Sequence, residues 1–370
     1  MRSKSGPGAM RIAYCGPIAQ PGQPARGGYE SANRRLIDDL RLRGLDVVEF
    51  PYPVALGNQA TKGAAYARRF AGIAIELVQQ RRRFDILHLT PLYRHFLYAE
   101  AILCLLAWSL GKRVVYDIRA GCFIQNYRDR GHVYRRLVDA LMRRADTLAL
   151  EGSEDLPFAE ARHAQPILYL PNYVKALTPR HDAERDNTVI RAVFLGRIVP
   201  EKGIETVIDA LQALQAKGSP ARLEVIGTGR EDYVGALRRR TQNLPVTWHG
   251  ALPPDAIRAQ LAAAHFFIFP TRHRGEGHSN ALTEAMSEGV VPICSENGFN
   301  RSVVAETGRV LPLDATAADY AEAIASIWRG GAWPQLSTAT RDRVARNFTS
   351  DVVVSGLIGH YAGIPTLSES

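Results

Sequence analysis

Two glutamates eight positions apart, Glu276 and Glu284, are the residues of this sequence best placed to do chemistry. Glu276 lies in a polar loop, and Glu284 lies in the predicted helix that follows. On a 3.6-residue period Glu284 shares a face with Asn280, while Leu282 and Met286 point into the core. Free N–H groups at a helix start favour an anion. A carboxylate on either side of such a start suits a ligand that is part phosphate and part polyhydroxyl, whereas one glutamate alone is more typical of a charged surface.

The elements that would position these carboxylates form a strand–loop–helix–strand unit between His265 and Cys294. The apolar run Phe266–Phe269 predicts a buried parallel strand that the next residue, a proline, closes. Ser279 or Asn280 caps a helix that a glycine ends, and residues 290–294 predict the next strand. The loop therefore lies at the carboxyl end of a strand, where open α/β sheets bind ligands.

The run from Glu276 to Pro292, EGHSNALTEAMSEGVVP, resembles the Glu-x7-Glu segment of the family-four retaining glycosyltransferases, which have the GT-B fold. Supporting blocks occur in the expected order along nearly the whole chain. They are Gly27-Gly28, Pro171-Asn172 and the segment from Gly196 to Gly203. The resemblance implies an α/β protein with two Rossmann-like parallel-sheet domains facing a central cleft.

The alternation of apolar strands and helical segments, read with this resemblance, predicts the domain organisation. Residues 1–180 form an N-terminal, acceptor-side domain, and the polar stretch 181–190 is a linker. Residues 191–347 form the nucleotide-sugar-binding domain. Residues 348–370 contain a terminal helix that crosses back to the first domain and packs Val353, Leu357 and Tyr361.

A second group of candidate residues is the basic pair Arg197 and Lys202, in a loop at the carboxyl end of a predicted strand. This loop matches the family's Gly-Arg…Lys-Gly block. Two fixed cations can neutralise the charge that develops on a diphosphate leaving group. The alternative is a pair of surface cations at a helix start, but cations there oppose the helix dipole. The mismatch favours a functional role.

By resemblance, Glu284 binds ribose hydroxyls and Glu276 binds hydroxyls of the donor sugar, so the two glutamates are not a hydrolytic acid–base couple. Retention without an enzymic nucleophile implies attack on the face that the diphosphate leaves, through a transition state of oxocarbenium character. The predicted catalytic residues are Glu276, Arg197, Lys202 and Asp117. The predicted donor-binding residues are Gly27, Gly28, Arg197, Lys202, Gly227, Leu252, Glu276, His278, Ser279, Asn280 and Glu284.

The strand end Tyr116–Gly121 is the part of the first half predicted to contact reacting groups. Many family members have a histidine near this point, whereas this chain has Asp117 and Arg119. Asp117 can accept a hydroxyl hydrogen bond and Arg119 can hold an anionic acceptor. An Asp–Arg pair that only orders a loop is an equal alternative. His88 and His95, near another strand end, are predicted to be structural.

No metal or other cofactor is predicted. Acidic residues spaced Asp/Glu-x-Asp/Glu, the pattern that holds a divalent ion in glycosyltransferases of the other main fold, occur at Asp182, Glu184 and Asp186. These three residues lie in the predicted linker, and not at a strand end. The chemistry is therefore predicted to be metal-independent.

Composition places the chain among globular proteins of two domains, with 370 residues, 46% hydrophobic and 22% charged. Four scattered cysteines indicate a reducing cytoplasm without a disulfide framework. The first ten residues lack the apolar core of a secretory signal.

Residues 101–110 form an apolar run shorter than the ~20 residues that span a bilayer. A core helix is the expected structure for this run, and an interfacial helix is the alternative.

Charge is divided unevenly along the chain. Residues 1–180 contain 27 Lys and Arg against 16 Asp and Glu, and the remainder contains 19 against 21. Single basic runs are typical of solvated helix faces, but the asymmetry suits attraction to an anionic surface. We therefore expect a cytoplasmic protein whose basic N-terminal domain contacts anionic membrane at its inner face. Interleaved aromatic residues and known nucleic-acid modules are absent from the sequence, so nucleic acid is not expected as a partner.

Together these observations predict a retaining, metal-independent glycosyltransferase. It would move a sugar from a nucleoside-diphosphate sugar to a glycan or lipid-linked acceptor of cell-surface polysaccharide or glycoconjugate synthesis. Two alternatives remain open at this point: a GT-B sugar-nucleotide epimerase or hydrolase, and a catalytically silent subunit that binds a sugar nucleotide. Release of free sugar without an acceptor distinguishes the first alternative, and measured turnover distinguishes the second.

Overall fold

The computed structural model describes residues 10–20, 27–52, 59–177 and 185–363. The chain divides into two compact units, one made of Met1–Pro171 with Val353–Ser370 and the other of Asn172–Val352. Residues 1–9, and residues 181–184 of the predicted linker, lie outside the described residues. The boundary at residue 180 and the linker over 181–190 stay predictions.

The first unit is built on a parallel sheet of six strands. Its strands are β1 (Arg11–Gly16), β2 (Asp46–Pro51), β3 (Ile86–Leu89), β4 (Arg113–Ile118), β5 (Thr147–Leu150) and β6 (Leu168–Tyr169). Its helices are α1 (Gly28–Leu42), α2 (Gln59–Gln79), α3 (Leu97–Ser109), α4 (Phe123–Arg128), α5 (His132–Arg144) and α6 (Leu156–Glu160). The strand order is β2-β1-β3-β4-β5-β6.

The second unit contains a second six-stranded parallel sheet. Its strands are β7 (Ile190–Leu195), β8 (Ala221–Ile226), β9 (Val246–Gly250), β10 (Phe266–Phe269), β11 (Val291–Ser295) and β12 (Arg309–Leu311). Its helices are α7 (Ile204–Ala216), α8 (Glu231–Arg240), α9 (Pro254–Ala262), α10 (Asn280–Ser287), α11 (Asn300–Val304), α12 (Ala317–Arg329) and α13 (Trp333–Asn347). The strand order is β12-β11-β10-β7-β8-β9.

The last helix, α14 (Ser350–Tyr361), begins in the second unit and continues into the first. From Val353 onward its residues belong to the first unit. Val353, Leu357 and Tyr361 are all buried there, because they lie on one face of the helix. The Tyr361 hydroxyl lies 2.6 Å from Nδ1 of His88, which links the helix to β3.

The predicted α/β fold of two Rossmann-like parallel-sheet domains is confirmed. Strand β10 illustrates why the local sequence folds as expected. All four of its residues are buried, and it pairs in parallel with β7 on one side and β11 on the other. An apolar side chain at every position is what a strand covered on both faces requires.

One helix begins earlier than its sequence pattern indicates. The pattern predicts a helix over 338–347, but α13 starts at Trp333. The Trp333 indole N–H donates to the carbonyl of His265 at 3.0 Å, and Pro334 occupies the first turn, where its missing N–H costs nothing. Tertiary anchoring by a buried tryptophan therefore extends the helix beyond its periodic segment.

Each sheet has a point at which the strand order reverses direction. In the first sheet this point lies between β1 and β3, and in the second it lies between β7 and β10. Chain segments that leave neighbouring strands at such a point diverge and open a crevice at the carboxyl edge. In the second unit these segments are 196–203 and 270–279, which contain Arg197, Lys202 and Glu276.

Candidate functional site

The centre of the candidate site is an ion pair between Lys202 and Glu276. The Lys202 ammonium donates to Oε2 of Glu276 at 2.5 Å, across 74 residues of sequence. The lysine side chain is 12% exposed and the glutamate side chain 8%. Lys202 also lies over the ring of Phe269, 5.2 Å from its centroid. The structure thus brings together two residues that the sequence assigned to the donor site from separate loops.

Close backbone packing fixes the loop that carries Lys202. Residues Pro200–Lys202 form a short 3-10 turn that ends at Gly203, whose φ is +75°. A Cβ at Gly203 would lie 2.4 Å from the carbonyl oxygen of Pro270, so only glycine fits there. The N–H of Arg272 donates to the carbonyl of Glu201 at 2.7 Å. The loops after β7 and β10 are therefore joined along their backbones.

The carboxylate of Glu276 is held by its own loop as well as by Lys202. The Thr271 hydroxyl donates to Oε2 of Glu276 at 2.8 Å. The Ser295 hydroxyl, at the end of β11, donates to the carbonyl of Thr271 at 2.6 Å. Thr271 is a site residue that sequence reasoning missed, although its place directly after the strand-closing proline was a usable signal.

Arg197 is the exposed cation of this site. Within the described parts of the chain, its guanidinium has no hydrogen bond or ion pair. Arg197 leaves the carboxyl end of β7, in the same loop as Lys202. A guanidinium that is not committed to a carboxylate keeps all of its N–H groups available to an anion.

Helix α10 has the orientation that its sequence predicts. Glu284 is half-buried, as are Asn280 and Ala281, whereas Leu282 and Met286 are fully buried. Ser279 is the N-cap residue, but its side chain makes no capping hydrogen bond. The first-turn N–H groups are therefore not satisfied by the side chain that usually caps them.

His278 does not present its ring to solvent. The residue is 3% exposed, its Nε2 lies 2.6 Å from the Thr283 hydroxyl, and its ring packs edge-on against Phe348. The Asn172 amide donates to the His278 carbonyl at 2.6 Å. The imidazole thus fastens the start of α10 to the interior of the second unit, and the predicted donor contact of His278 stays a prediction.

The glycines predicted to approach the donor fall into two classes. A Cβ at Gly227, whose φ is +141°, would lie 1.8 Å from the carbonyl oxygen of Gly196, so the chain itself requires glycine there. At Gly27 the backbone is extended, with φ −172°, and a Cβ would meet nothing within 4 Å. Gly28 is exposed and opens α1, and the preceding residues 21–26 lie outside the described residues. Leu252 is half-buried in the segment after β9.

A cavity of about 290 Å³ adjoins the Lys202 loop at the carboxyl ends of β7 and β8. Its lining residues are Ile198, Val199, Pro200, Arg230, Asp232 and Tyr233. Arg230 and Tyr233 were not expected from the sequence, although Arg230 directly follows the glycine-rich turn after β8. The Tyr233 hydroxyl donates to Oε1 of Glu205 at 3.0 Å, which orients the ring at the cavity wall.

Asp117 and Arg119 lie together in the first unit, but deep inside it. Asp117 is 0% exposed and Arg119 5%. Nε of Arg119 donates to Oδ2 of Asp117 at 2.6 Å, and Nε2 of His88 lies 3.1 Å from the same oxygen. This geometry is that of a pair that orders the end of β4, and the predicted contact of Asp117 and Arg119 with an acceptor stays a prediction. His88 is structural in its contacts, as expected, because Tyr361 occupies its other nitrogen.

Within this buried cluster, the charge of Arg119 and the hydrogen bond from His88 keep the Asp117 carboxyl group ionised. Burial by itself raises the pKa of Asp117, but the Arg119 guanidinium and the hydrogen bond from His88 outweigh it and leave the pKa below its ordinary value. Burial lowers the pKa of His88, and Asp117 opposes this only in part. The cluster is thus an aspartate–arginine ion pair beside a neutral imidazole.

Among the described residues, no group of three or more His, Cys, Asp or Glu side chains is arranged to hold a metal ion. Asp182 and Glu184 lie outside these residues. The carboxylate of Asp186 accepts hydrogen bonds from the backbone N–H and the hydroxyl of Thr188.

No helix in the part of the chain that the structure describes is both long enough and apolar enough to cross a bilayer.

Comparison with known proteins finds sequence similarity over part of the chain. Residues 190–329 match the family model for glycosyl transferases group 1. The chain is 30% identical over 145 residues to a GDP-mannose-dependent alpha-(1-6)-phosphatidylinositol monomannoside mannosyltransferase of Mycobacterium tuberculosis, which covers 36% of this chain and 37% of that protein. It is 26% identical over 175 residues to O-antigen chain mannosyltransferase B of Escherichia coli, which covers 46% and 45%. These matches span less than half the length of either relative.

Among solved structures, the chain is similar to HepE of Anabaena in complex with UDP. The TM-score is 0.67 at 14% identity, with 96% of this chain and 100% of that chain covered. This similarity establishes the fold over nearly the whole chain. The Glu-x7-Glu spacing as a functional motif stays a prediction. The resemblance to family-four GT-B glycosyltransferases is confirmed. At the level of sequence, it rests on the match of residues 190–329 to the group 1 glycosyl transferase model.

Proposed function

We propose that the protein is a retaining, metal-independent glycosyltransferase. It moves a sugar from a nucleoside-diphosphate sugar to a glycan or lipid-linked acceptor in the synthesis of cell-surface polysaccharide or glycoconjugate. The observation that carries this proposal is the meeting of Lys202 and Glu276 at the switch point of the second sheet, in the same loop as the exposed Arg197.

The ion pair suits a ligand with both phosphate and hydroxyl groups. The Lys202 ammonium has three N–H donors and uses one of them on Glu276, so the others remain for a phosphate oxygen. Arg197 supplies a second cation, and the N–H groups that open α10 supply further donors. Glu276 keeps carboxylate lone pairs for hydroxyl groups of the transferred sugar.

This arrangement supports departure of the diphosphate as the step that the protein assists. Positive groups fixed before the reaction stabilise the charge that grows on the leaving oxygen. That oxygen then takes the proton of the attacking acceptor hydroxyl, so the new bond forms on the face from which the diphosphate departs. Two cations in this role would replace the divalent ion that other glycosyltransferases use.

The remaining donor contacts are proposed from placement. Glu284 lies on the accessible face of α10 and would receive the ribose hydroxyls. The cavity beside Tyr233 is large enough for a flat heterocycle, and the backbone at Gly27 is expected to approach a phosphate by resemblance to the family. The mannosyltransferase relatives make GDP-mannose the first donor to test, and the UDP held by the Anabaena protein makes UDP-sugars the second.

We place the reaction in the cytoplasm, at the inner face of the membrane. The basic composition of residues 1–180 and the phosphatidylinositol-linked acceptor in the name of one relative support this placement. A lipid-linked acceptor has a polar headgroup at the bilayer surface, where a protein with a positively charged domain accumulates.

The proposal is tested by turnover of the purified full chain with GDP-mannose, UDP-glucose and ADP-glucose in the presence of EDTA. Acceptors are offered as a lipid extract and as soluble mannosides, and the anomeric configuration of the product is read by NMR. We expect transfer with retained configuration from one of the donors. An inverted product, or activity only after magnesium or manganese is restored, would overturn the mechanism.

The same assay separates the alternatives. Free sugar released without any acceptor would identify a hydrolase, and a changed sugar still attached to the nucleotide would identify an epimerase. Binding of a donor without any product would identify a silent subunit. In the described part of the chain, no specific contact favours these alternatives over transfer.

A further inference from the structure

Exposed apolar side chains are concentrated on one layer of helices in the first unit. Among the described residues, nine large apolar side chains are exposed, and six of these lie on α2, α3 and α5. They are Ile75, Val78, Tyr98, Ile102, Leu105 and Val133. Helix α3 packs against α2 on one side and α5 on the other, so the three helices form a continuous surface. Scattered exposure would need no explanation, but concentration on one layer indicates an interaction site.

Helix α3 is the centre of this layer. Its exposed side chains include Tyr98, Ile102 and Leu105, which are 50%, 60% and 52% exposed and follow one another at helical spacing. The helix contains no lysine, arginine or aspartate, and its single glutamate, Glu100, is fully buried. A surface helix without a charged side chain on its solvent-facing side is unusual, because surface helices normally carry polar residues there.

Helix α2 continues the surface. Ile75 and Val78 are 57% and 39% exposed, and the exposed positions one and two turns earlier are mainly alanines. Its single acidic residue, Glu76, is paired with Arg69 at 2.7 Å. We call the surface formed by Ile75, Val78, Tyr98, Ile102 and Leu105 the α2–α3 apolar face.

Cations border this face at both ends and along α5. Arg94 is exposed directly before α3, and the guanidinium of Arg144 lies over the Trp108 ring at the end of α3, 4.8 Å from its centroid. Arg136 is exposed on α5. The exposed run Arg81–Arg83 follows α2.

We infer that the α2–α3 apolar face docks on an anionic phospholipid bilayer, with the apolar side chains in the interfacial region and the bordering arginines at the headgroups. Apolar residues rimmed by cations are the pattern of a protein that lies in the plane of the interface. Tyr98 suits this region, since an amphipathic aromatic ring is stable at headgroup level. A second copy of the chain is a poorer occupant, because two such faces would bring the same arginines together.

The surface is tested by sedimentation of the full chain with vesicles of pure phosphatidylcholine and with vesicles containing phosphatidylglycerol at three parts in ten. Wild-type protein is compared with the double variant Ile102→Gln/Leu105→Gln. Leu42→Gln on α1 and Leu313→Gln are matched controls, since these leucines are 79% and 48% exposed but lie off the face. Unfolding curves check that the substitutions leave the fold intact.

We expect binding to the anionic vesicles, a loss of about tenfold or more in partition coefficient for the double variant, and no loss for the controls. Neutralising Arg136 and Arg144 together should weaken binding to the anionic vesicles and leave the residual binding to pure phosphatidylcholine unchanged. Failure of the wild type to bind either vesicle would overturn the inference, as would equal binding of the double variant. A shift from dimer to monomer in the double variant, without vesicle binding, would assign the face to a second copy instead.

The inference rests on the membrane placement in the proposed function but not on the transferase activity, because the readout of this test is lipid binding. Transfer to a soluble acceptor should be unchanged in the double variant. The two proposals can therefore fail separately.

Discussion

The carboxyl edges of the two sheets carry polar clusters of opposite character. In the first unit, Asp117 and Arg119 are fully or almost fully buried and paired with one another. In the second unit, the paired side chains of Lys202 and Glu276 are 12% and 8% exposed, and Arg197 in the same loop is exposed. Both clusters consist of an acid and a base at the end of parallel strands, so residue type alone does not distinguish them.

The difference between them is access to solvent, and it determines what each cluster can do. Burying an ion pair costs desolvation free energy, which the attraction between the two charges and their hydrogen bonds must offset. Removal of one partner leaves an uncompensated buried charge. A pair at a surface crevice can exchange its partners for a ligand. The first cluster therefore contributes to the stability of its unit, while the second is suited to binding an anion.

The largest expected effect is on stability, from Asp117→Asn. This substitution removes the carboxylate to which Nε of the buried Arg119 donates, and we expect a loss of about 3 kcal/mol in the free energy of unfolding, measured by urea denaturation. Asp85→Asn is the control, because its ion pair with Arg11 is exposed and should be worth less than about 1 kcal/mol. If Asp117→Asn were fully stable but inactive, the carboxylate would be a substrate contact, as the sequence predicted.

The reverse result is expected for Arg197→Ala. Since the Arg197 side chain is exposed and makes no hydrogen bond within the described residues, its loss should leave unfolding unchanged. Loss of a charge-assisted contact with phosphate should weaken donor binding by about tenfold to a hundredfold. Calorimetric titration measures this, with Arg329→Ala on α12 as a control that removes an exposed arginine elsewhere. Unchanged donor affinity would remove Arg197 from the site.

Glu100 contrasts with Asp117, because among the described residues it is a buried carboxyl group that forms no ion pair. It accepts a hydrogen bond from the N–H of Leu92 at 2.6 Å, and burial raises its pKa from 4.5 to about 8. The folded state therefore holds this proton more tightly than the unfolded chain does. Its contribution to stability is complete below about pH 4.5 and is lost as the pH rises to 8.

Glu100→Gln removes this proton equilibrium while it keeps the shape of the side chain. Between pH 6 and pH 9 the wild type should lose about 3 kcal/mol more of its unfolding free energy than the variant. Thermal or urea unfolding at the two pH values measures the difference. Parallel pH profiles of the two proteins would show that Glu100 is ionised in the folded state.

Only a small effect on stability is expected of Gly27→Ala. A methyl group at Gly27 would meet no atom of the described residues within 4 Å, so the free energy of unfolding should change by less than about 1 kcal/mol. Donor affinity should nevertheless fall, because the backbone there is proposed to approach phosphate. Gly227→Ala is the contrasting variant, since its methyl would collide with the Gly196 carbonyl and destabilise the fold. Normal donor affinity in Gly27→Ala would contradict the proposed contact.

The sequence predicted the parts of the fold and of the candidate site that depend on the local order of apolar and polar residues. The apolar run of β10, the turn after it and the helical face of Glu284 follow from side-chain periodicity and from the residues that begin and end an element. The pairing of Lys202 with Glu276 joins loops 74 residues apart, and no local pattern encodes that distance. The burial of Asp117 and the inward ring of His278 likewise depend on what packs over them, which single-sequence reasoning does not contain.

The second unit is proposed to bind a diphosphate through Arg197 and Lys202 without a metal ion. Calorimetric titration of GDP and UDP into the wild type and into the double variant Arg197→Ala/Lys202→Ala, with EDTA throughout, measures this. We predict that one nucleotide binds the wild type in EDTA and that the double variant binds it at least about a hundredfold more weakly. Equal affinity in the two proteins, or wild-type binding that requires added magnesium, would contradict the account.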